Sequence, residues 1–131
     1  MPCPRILLTM IVCLAPLTTV PAQVPGALRT AILARDSAIA RANAAVWDRL
    51  TLSTFTVVMA DGSMVTKAER LAALKTQRAV PPWLRSREVA LRYGDVYVVR
   101  FLANGEWFLE VWALEKGQWK TAAAQVTLAK K

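Results

Sequence analysis

Glu110, Tyr97 and Arg92 are the polar side chains of this sequence best placed to do chemistry, because each interrupts an apolar, alternating stretch near the C-terminus. A carboxylate on an apolar strand face must be paired or must hold its proton more tightly than usual. Glu110 is therefore either a general base or ligand anchor, or half of a structural ion pair with Arg92. In the first case Tyr97 would donate a hydrogen bond to a ligand oxygen and Arg92 would hold an anionic group. The chain contains no histidine, which removes the usual general base near neutral pH and the commonest metal ligand. Its two cysteines, Cys3 and Cys13, both lie in the N-terminal leader described below. There is no Gly-rich phosphate loop, nucleophile elbow or metal-ligand cluster, so no cofactor and no metal are expected.

The elements that must position these groups run from Trp83 to Leu128, which reads as four strands joined by three tight turns. Gly94-Asp95 and Asn104-Gly105 suit two-residue hairpin loops, and Glu115-Lys116-Gly117 suits a three-residue loop with Gly117 left-handed. That register pairs Tyr97 with Arg92 and Trp112, Val99 with Ala90 and Glu110, Phe101 with Phe108, and Glu110 with Ala122. Cross-strand partners share a face. One face then carries Ala90, Arg92, Tyr97, Val99, Phe101, Phe108, Glu110, Trp112, Ala122, Ala124 and Val126. The other carries Val89, Leu91, Val96, Val98, Leu102, Trp107, Leu109, Val111, Trp119 and Gln125. Both faces are apolar, so helices must cover one and something else the other.

Upstream, Ala27–Arg41 carries Leu28, Ile32 and Ile39 at helical spacing, and Asn43 suits the N-cap of a short second helix through Leu50. Asp36 reads as a helix-surface charge paired with its arginine neighbours. Thr54–Met59 is a strand, Asp61-Gly62 a turn and Met64-Val65 a short return strand. Thr66-Lys67-Ala68-Glu69 matches a capping box that opens a third helix to about Gln77, and Pro81-Pro82 redirects the chain.

The 131 residues suit one domain. Met1–Arg5 is basic, Ile6–Leu17 is an apolar run too short to span a bilayer comfortably, and Val20-Pro21-Ala22 offers small residues for cleavage. This pattern is that of a secretory signal peptide over residues 1–22, followed by a linker over 23–26 and a domain over 27–131. A secreted or periplasmic protein without disulfides and without a membrane anchor after cleavage is expected. The net charge of +8 favours anionic partners, but the Lys and Arg are dispersed, as on a solvated basic surface. The aromatics fall on strand faces rather than among basic clusters, so no nucleic-acid partner is expected.

The order helix, short helix, hairpin, helix and four-stranded meander resembles the nuclear transport factor 2-like superfamily. The stretch from Asn43 to Phe55 is similar to its second helix entering its first strand. Asp61-Gly62 followed by Thr66–Glu69 resembles the SnoaL-like branch and related domains of unknown function. Tyr93–Val99 resembles the next hairpin. Val111-Trp112, Gly117, Trp119-Lys120 and Gln125-Val126-Thr127 resemble the closing one. The resemblance covers about residues 27–128. It implies an α+β fold in which N-terminal helices cap a strongly curved, mainly antiparallel sheet around a cone-shaped, ketosteroid-isomerase-like pocket, with the outer face often forming a homodimer.

On this basis Trp47, Phe55, Arg92, Tyr97, Val99, Phe101, Phe108, Glu110, Trp112, Ala122 and Ala124 are the expected pocket residues. Val98, Trp107, Leu109, Val111 and Trp119 are the expected dimer interface. Ala122 and Ala124 either leave open volume opposite Phe108 and Glu110 or are filled by the aromatics. Related association domains carry an arginine at the position of Glu110, and related sequences often carry an aspartate at Asn43. The resulting expectation is an exported homodimer that binds a small apolar or anionic molecule without catalysis. An isomerase or dehydratase using Glu110 and an assembly module with a closed pocket are the alternatives, because fold does not give function.

Overall fold

The computed structural model describes residues 23–130. The leader expected over residues 1–22, with Cys3 and Cys13, lies outside them. The first helix, α1, spans Gly26–Ala40, and α2 spans Ala44–Arg49. Asn43 separates them and caps α2, its side-chain oxygen accepting the Val46 N–H at 3.1 Å. Strands β1 (Thr51–Val58) and β2 (Met64–Thr66) form a hairpin, and α3 (Lys67–Thr76) follows directly. The expected capping box is present, with Thr66 and Glu69 satisfying each other's backbone N–H.

Residues 77–85 cross to the sheet without regular structure, so β3 begins at Ser86 rather than near Trp83. Strands β3 (Ser86–Tyr93), β4 (Val96–Ala103), β5 (Glu106–Glu115) and β6 (Gln118–Leu128) complete a six-stranded sheet in the order β2-β1-β6-β5-β4-β3. The pairing is antiparallel except between β1 and β6. Both expected two-residue loops are present, since Tyr93 pairs with Val96 and Ala103 with Glu106. The last loop is also two residues, Lys116 and Gly117, both at positive φ, with Glu115 paired to Gln118. Left-handed backbone at both positions matches the twist of the flanking strands, and this displaces the three-residue loop expected from the sequence.

The β3–β4 and β4–β5 registers are those expected: Tyr97 pairs with Arg92 and Trp112, Val99 with Ala90 and Glu110, and Phe101 with Phe108. The β5–β6 register is not. Glu110 pairs with Ala124, not Ala122. Val111 pairs with Ala123 while Trp112 pairs with Thr121, so Ala122 is an extra residue in a β-bulge. A bulge reverses which face each residue beyond it occupies. Thr121 is thereby fully buried, and Trp119 swings to the concave face, edge-on to Tyr97 at 5.5 Å between ring centroids.

The core lies between the helices and the concave face of the sheet. Leu28, Ile32 and Ile39 of α1, Trp47 of α2 and Leu74 of α3 share one buried cluster with Phe55, Val57, Val99, Phe101, Phe108, Trp112 and Val126 of the sheet. Phe101 and Phe108 stack at 5.0 Å with their planes 6° apart. No helix among the described residues is long and apolar enough to cross a membrane.

Candidate functional site

The stripe that α1 buries is not wholly apolar. Leu28, Ile32, Arg35 and Ile39 follow one another at helical spacing, and all four are buried. Arg35 thus enters the core from the helix side, as Glu110 enters it from β5. The two meet: Arg35 Nη1 donates to Glu110 Oε1 at 2.9 Å. Arg85, in the segment before β3, donates through Nη2 to both Glu110 oxygens, at 3.3 and 3.1 Å. The Trp112 indole N–H donates to Oε2 at 3.0 Å. One carboxylate that is 1% exposed therefore accepts from two guanidinium groups and an indole.

The cluster extends outward along α1. Asp36 accepts from Arg85 Nε at 2.5 Å and from Nη2 at 2.7 Å, a bidentate pair. Arg85 Nη1 also lies 3.5 Å from Glu88 Oε2, and Glu88 pairs on its other side with Arg29. Aromatic faces flank both buried cations. Arg35 lies 5.8 Å from the Trp47 ring centroid, 5.6 Å from Phe55 and 6.0 Å from Trp112, and Arg85 lies 3.6 Å from Phe101. Burial weakens the hold of Arg35 on its proton, opposed by Glu110 and Asp36. Burial also acts against the charge of Arg85, but Asp36 and Glu110 outweigh it and raise the pKa above the usual arginine value. The Asp36 carboxyl is pushed up by desolvation, with Arg85 acting in the opposite direction.

Two hollows flank this cluster. On the sheet side is a cavity of about 180 Å³ whose walls include Trp47, Phe55, Phe108, Glu110, Ala124 and Val126, with Arg35, Arg70, Trp83 and Glu106 also on its surface. Its volume is below the roughly 300–1,000 Å³ of sites for drug-sized ligands, so it suits a small molecule. On the other side a more open groove of about 590 Å³ runs between α1 and residues 79–88 and is lined by Asp36, Arg85 and Glu88 with Leu33, Val80 and Leu84. Trp83 borders both and packs tilted against Phe108, with ring centroids 4.9 Å apart and planes at 37°.

Of the residues expected around a pocket, the cavity brings together Trp47, Phe55, Phe108, Glu110 and Ala124. Val99, Phe101 and Trp112 are wholly buried beneath it as core. Tyr97 is buried against Trp119 rather than beside Glu110. Arg92 is exposed and bonds the Gly94 carbonyl at 2.9 Å, so the expected Glu110–Arg92 pair is not formed. Strand pairing places Arg92 next to the β3–β4 turn, beyond the reach of a carboxylate in mid-sheet. Ala122 is taken up by the bulge. Asp36 is not a surface charge: it is 8% exposed and its partner, Arg85, is remote in sequence. Arg35, Arg70 and Arg85 were not anticipated. On the convex face Val98, Trp107 and Val111 are half-buried and Leu109 is exposed, without Trp119. No cluster of metal-ligating side chains occurs among the described residues.

No family model matches this sequence, and no curated protein matches it. Solved structures do. The chain is similar to a nuclear transport factor 2-like protein from Cytophaga hutchinsonii, with 22% identity and a TM-score of 0.72 over 77% of this chain and 94% of that one. It is similar to a nuclear transport factor 2-like protein of unknown function in nutrient uptake from Rhodospirillum rubrum, with 17% identity and a TM-score of 0.69 over 79% and 98%. A cystatin-like fold protein from Burkholderia xenovorans gives 19% identity and a TM-score of 0.65 over 80% and 91%. The helices and the curved sheet are those of the nuclear transport factor 2-like fold, which this chain adopts over its described residues.

Proposed function

We propose that this protein is an exported, homodimeric binding protein that holds a small molecule in the cavity between α1, α2 and the concave face of the sheet, and that it does so without catalysing a reaction. The observation that carries this reading is the cavity itself. It has aromatic and aliphatic walls, a small number of polar groups converge on it, and a charge cluster fixes one end. Glu110 argues against catalysis. A general base needs a free lone pair within reach of a substrate proton, whereas Glu110 is already held by Arg35, Arg85 and Trp112. The homodimer rests on the apolar convex face around Val98, Trp107, Leu109 and Val111, and export rests on the leader over residues 1–22.

Native mass spectrometry of the mature protein, purified from its own export pathway, tests the reading. A dimer with a small additional mass per subunit is expected. A bare monomer would overturn it.

A further inference from the structure

We infer that the ligand of this cavity is a small organic anion, a carboxylate on a compact apolar or aromatic body, and that Arg70 is its anchor; this rests on the binding reading above. The polar groups on the cavity wall are mostly donors without acceptors. Arg35 Nε and Trp47 Nε1 are buried and have no hydrogen-bond partner among the described residues. Arg70, on α3, forms no ion pair there either. Buried donors are ordinarily satisfied, and one left unpaired costs about 1–3 kcal/mol.

The charges point the same way. Arg35, Arg85, Asp36 and Glu110 balance within their cluster, and Arg29 balances Glu88. Arg70 is left over. Burial lowers its pKa, and the like charge of Arg35 acts in the same direction. Of the two acidic side chains on the wall, Glu110 is saturated, and Glu106 is partly exposed and paired with no cation among the described residues. An entering carboxylate would relieve the Arg35–Arg70 repulsion, and a planar guanidinium suits it geometrically. Phe55, Phe108, Val57 and Val126 would enclose the body of the ligand.

Calorimetric titration with two nearly isosteric pairs, benzoate against benzamide and isobutyrate against isobutyramide, tests this on the mature protein and on R70Q. The carboxylates are expected to bind at least about tenfold more tightly than the amides, a difference of about 1.4 kcal/mol. R70Q, confirmed as folded by circular dichroism, is expected to abolish that preference while leaving amide binding in place. Equal binding of acid and amide would overturn the anion assignment and leave the cavity reading standing. A preference unchanged in R70Q would overturn the role of Arg70. Failure of all four probes to bind at millimolar concentration would overturn both readings.

Discussion

Arg35 on α1 and Glu110 on β5, 75 residues apart in sequence, form an ion pair at 2.9 Å with side chains only 5% and 1% exposed. Desolvating two charges costs several kcal/mol each, so such a pair is weak evidence of net stability. Its removal by halves is another matter, because the surviving charge loses its partner. Glu110→Leu and Arg35→Met are each expected to destabilise the fold by about 3–5 kcal/mol, and the double variant Arg35→Met/Glu110→Leu by clearly less than the sum of the single changes. Urea unfolding of the two single variants and the double variant, read as a double-mutant cycle, checks this. Additive effects would show that the pair is not coupled.

Asp36 gives a pH dependence of unusual sign. Its carboxyl holds its proton more tightly when folded than the ordinary value of 3.8, because burial outweighs Arg85. The folded state therefore binds the proton in a window that opens at 3.8 and extends upward. There, stability contributed by Asp36 falls as pH rises and is recovered as pH falls, the reverse of a carboxylate whose pKa is depressed on folding. Asp36→Asn removes this titration. The stability of the variant relative to the parent is expected to rise with pH across the window, whatever constant amount the lost Arg85 contact costs. Denaturant midpoints measured at several pH values would show the slope, and a flat difference would count against it.

At the start of α3, Thr66 and Glu69 cap each other, with the Glu69 carboxylate 2.7 Å from the Thr66 backbone nitrogen. Thr66→Ala is expected to cost about 1 kcal/mol, within the roughly 0.5–2 found for lost caps, and Thr66→Ser close to nothing. Thermal or urea melts of the two variants distinguish a capping hydroxyl from one that only meets water.

The fold was legible in the sequence wherever local signals agree. The capping box, the Asn43 cap and two of the three strand turns each fix a short piece of backbone, and hydrophobic alternation then sets the β3–β4 and β4–β5 registers. The bulge was not legible: Thr121-Ala122-Ala123-Ala124 alternates in neither size nor polarity, so nothing marks Ala122 as the extra residue. The charge cluster was half legible. Glu110 stands out on an apolar strand, and Arg35 falls on the stripe of Leu28, Ile32 and Ile39, so two opposite charges sit on the two faces that pack together. That signal outweighs the pairing of Arg92 with Tyr97, which shares a face with Glu110 without reaching it. Arg85 and Arg70 carried no comparable mark, since one lies in irregular chain and the other on a mainly exposed helix.

The bulge has a direct consequence for the sheet faces. With Trp119 edge-on to Tyr97, Trp119→Ala removes core contacts, so a loss toward the lower end of about 3–5 kcal/mol is expected, with the mass of the assembly unchanged. Leu109 is different: it is 37% exposed on the convex face, among half-buried Val98, Trp107 and Val111. A charge there meets water in a monomer but is desolvated without a partner in a dimer, which costs several kcal/mol per subunit. Leu109→Asp is therefore expected to leave the unfolding transition nearly where it was at low protein concentration and to convert the proposed dimer to monomer. Sedimentation velocity of the two variants separates the faces. Dissociation by Trp119→Ala together with indifference to Leu109→Asp would place the interface elsewhere, beginning with the exposed Leu33, Val80 and Leu84 around the outer groove.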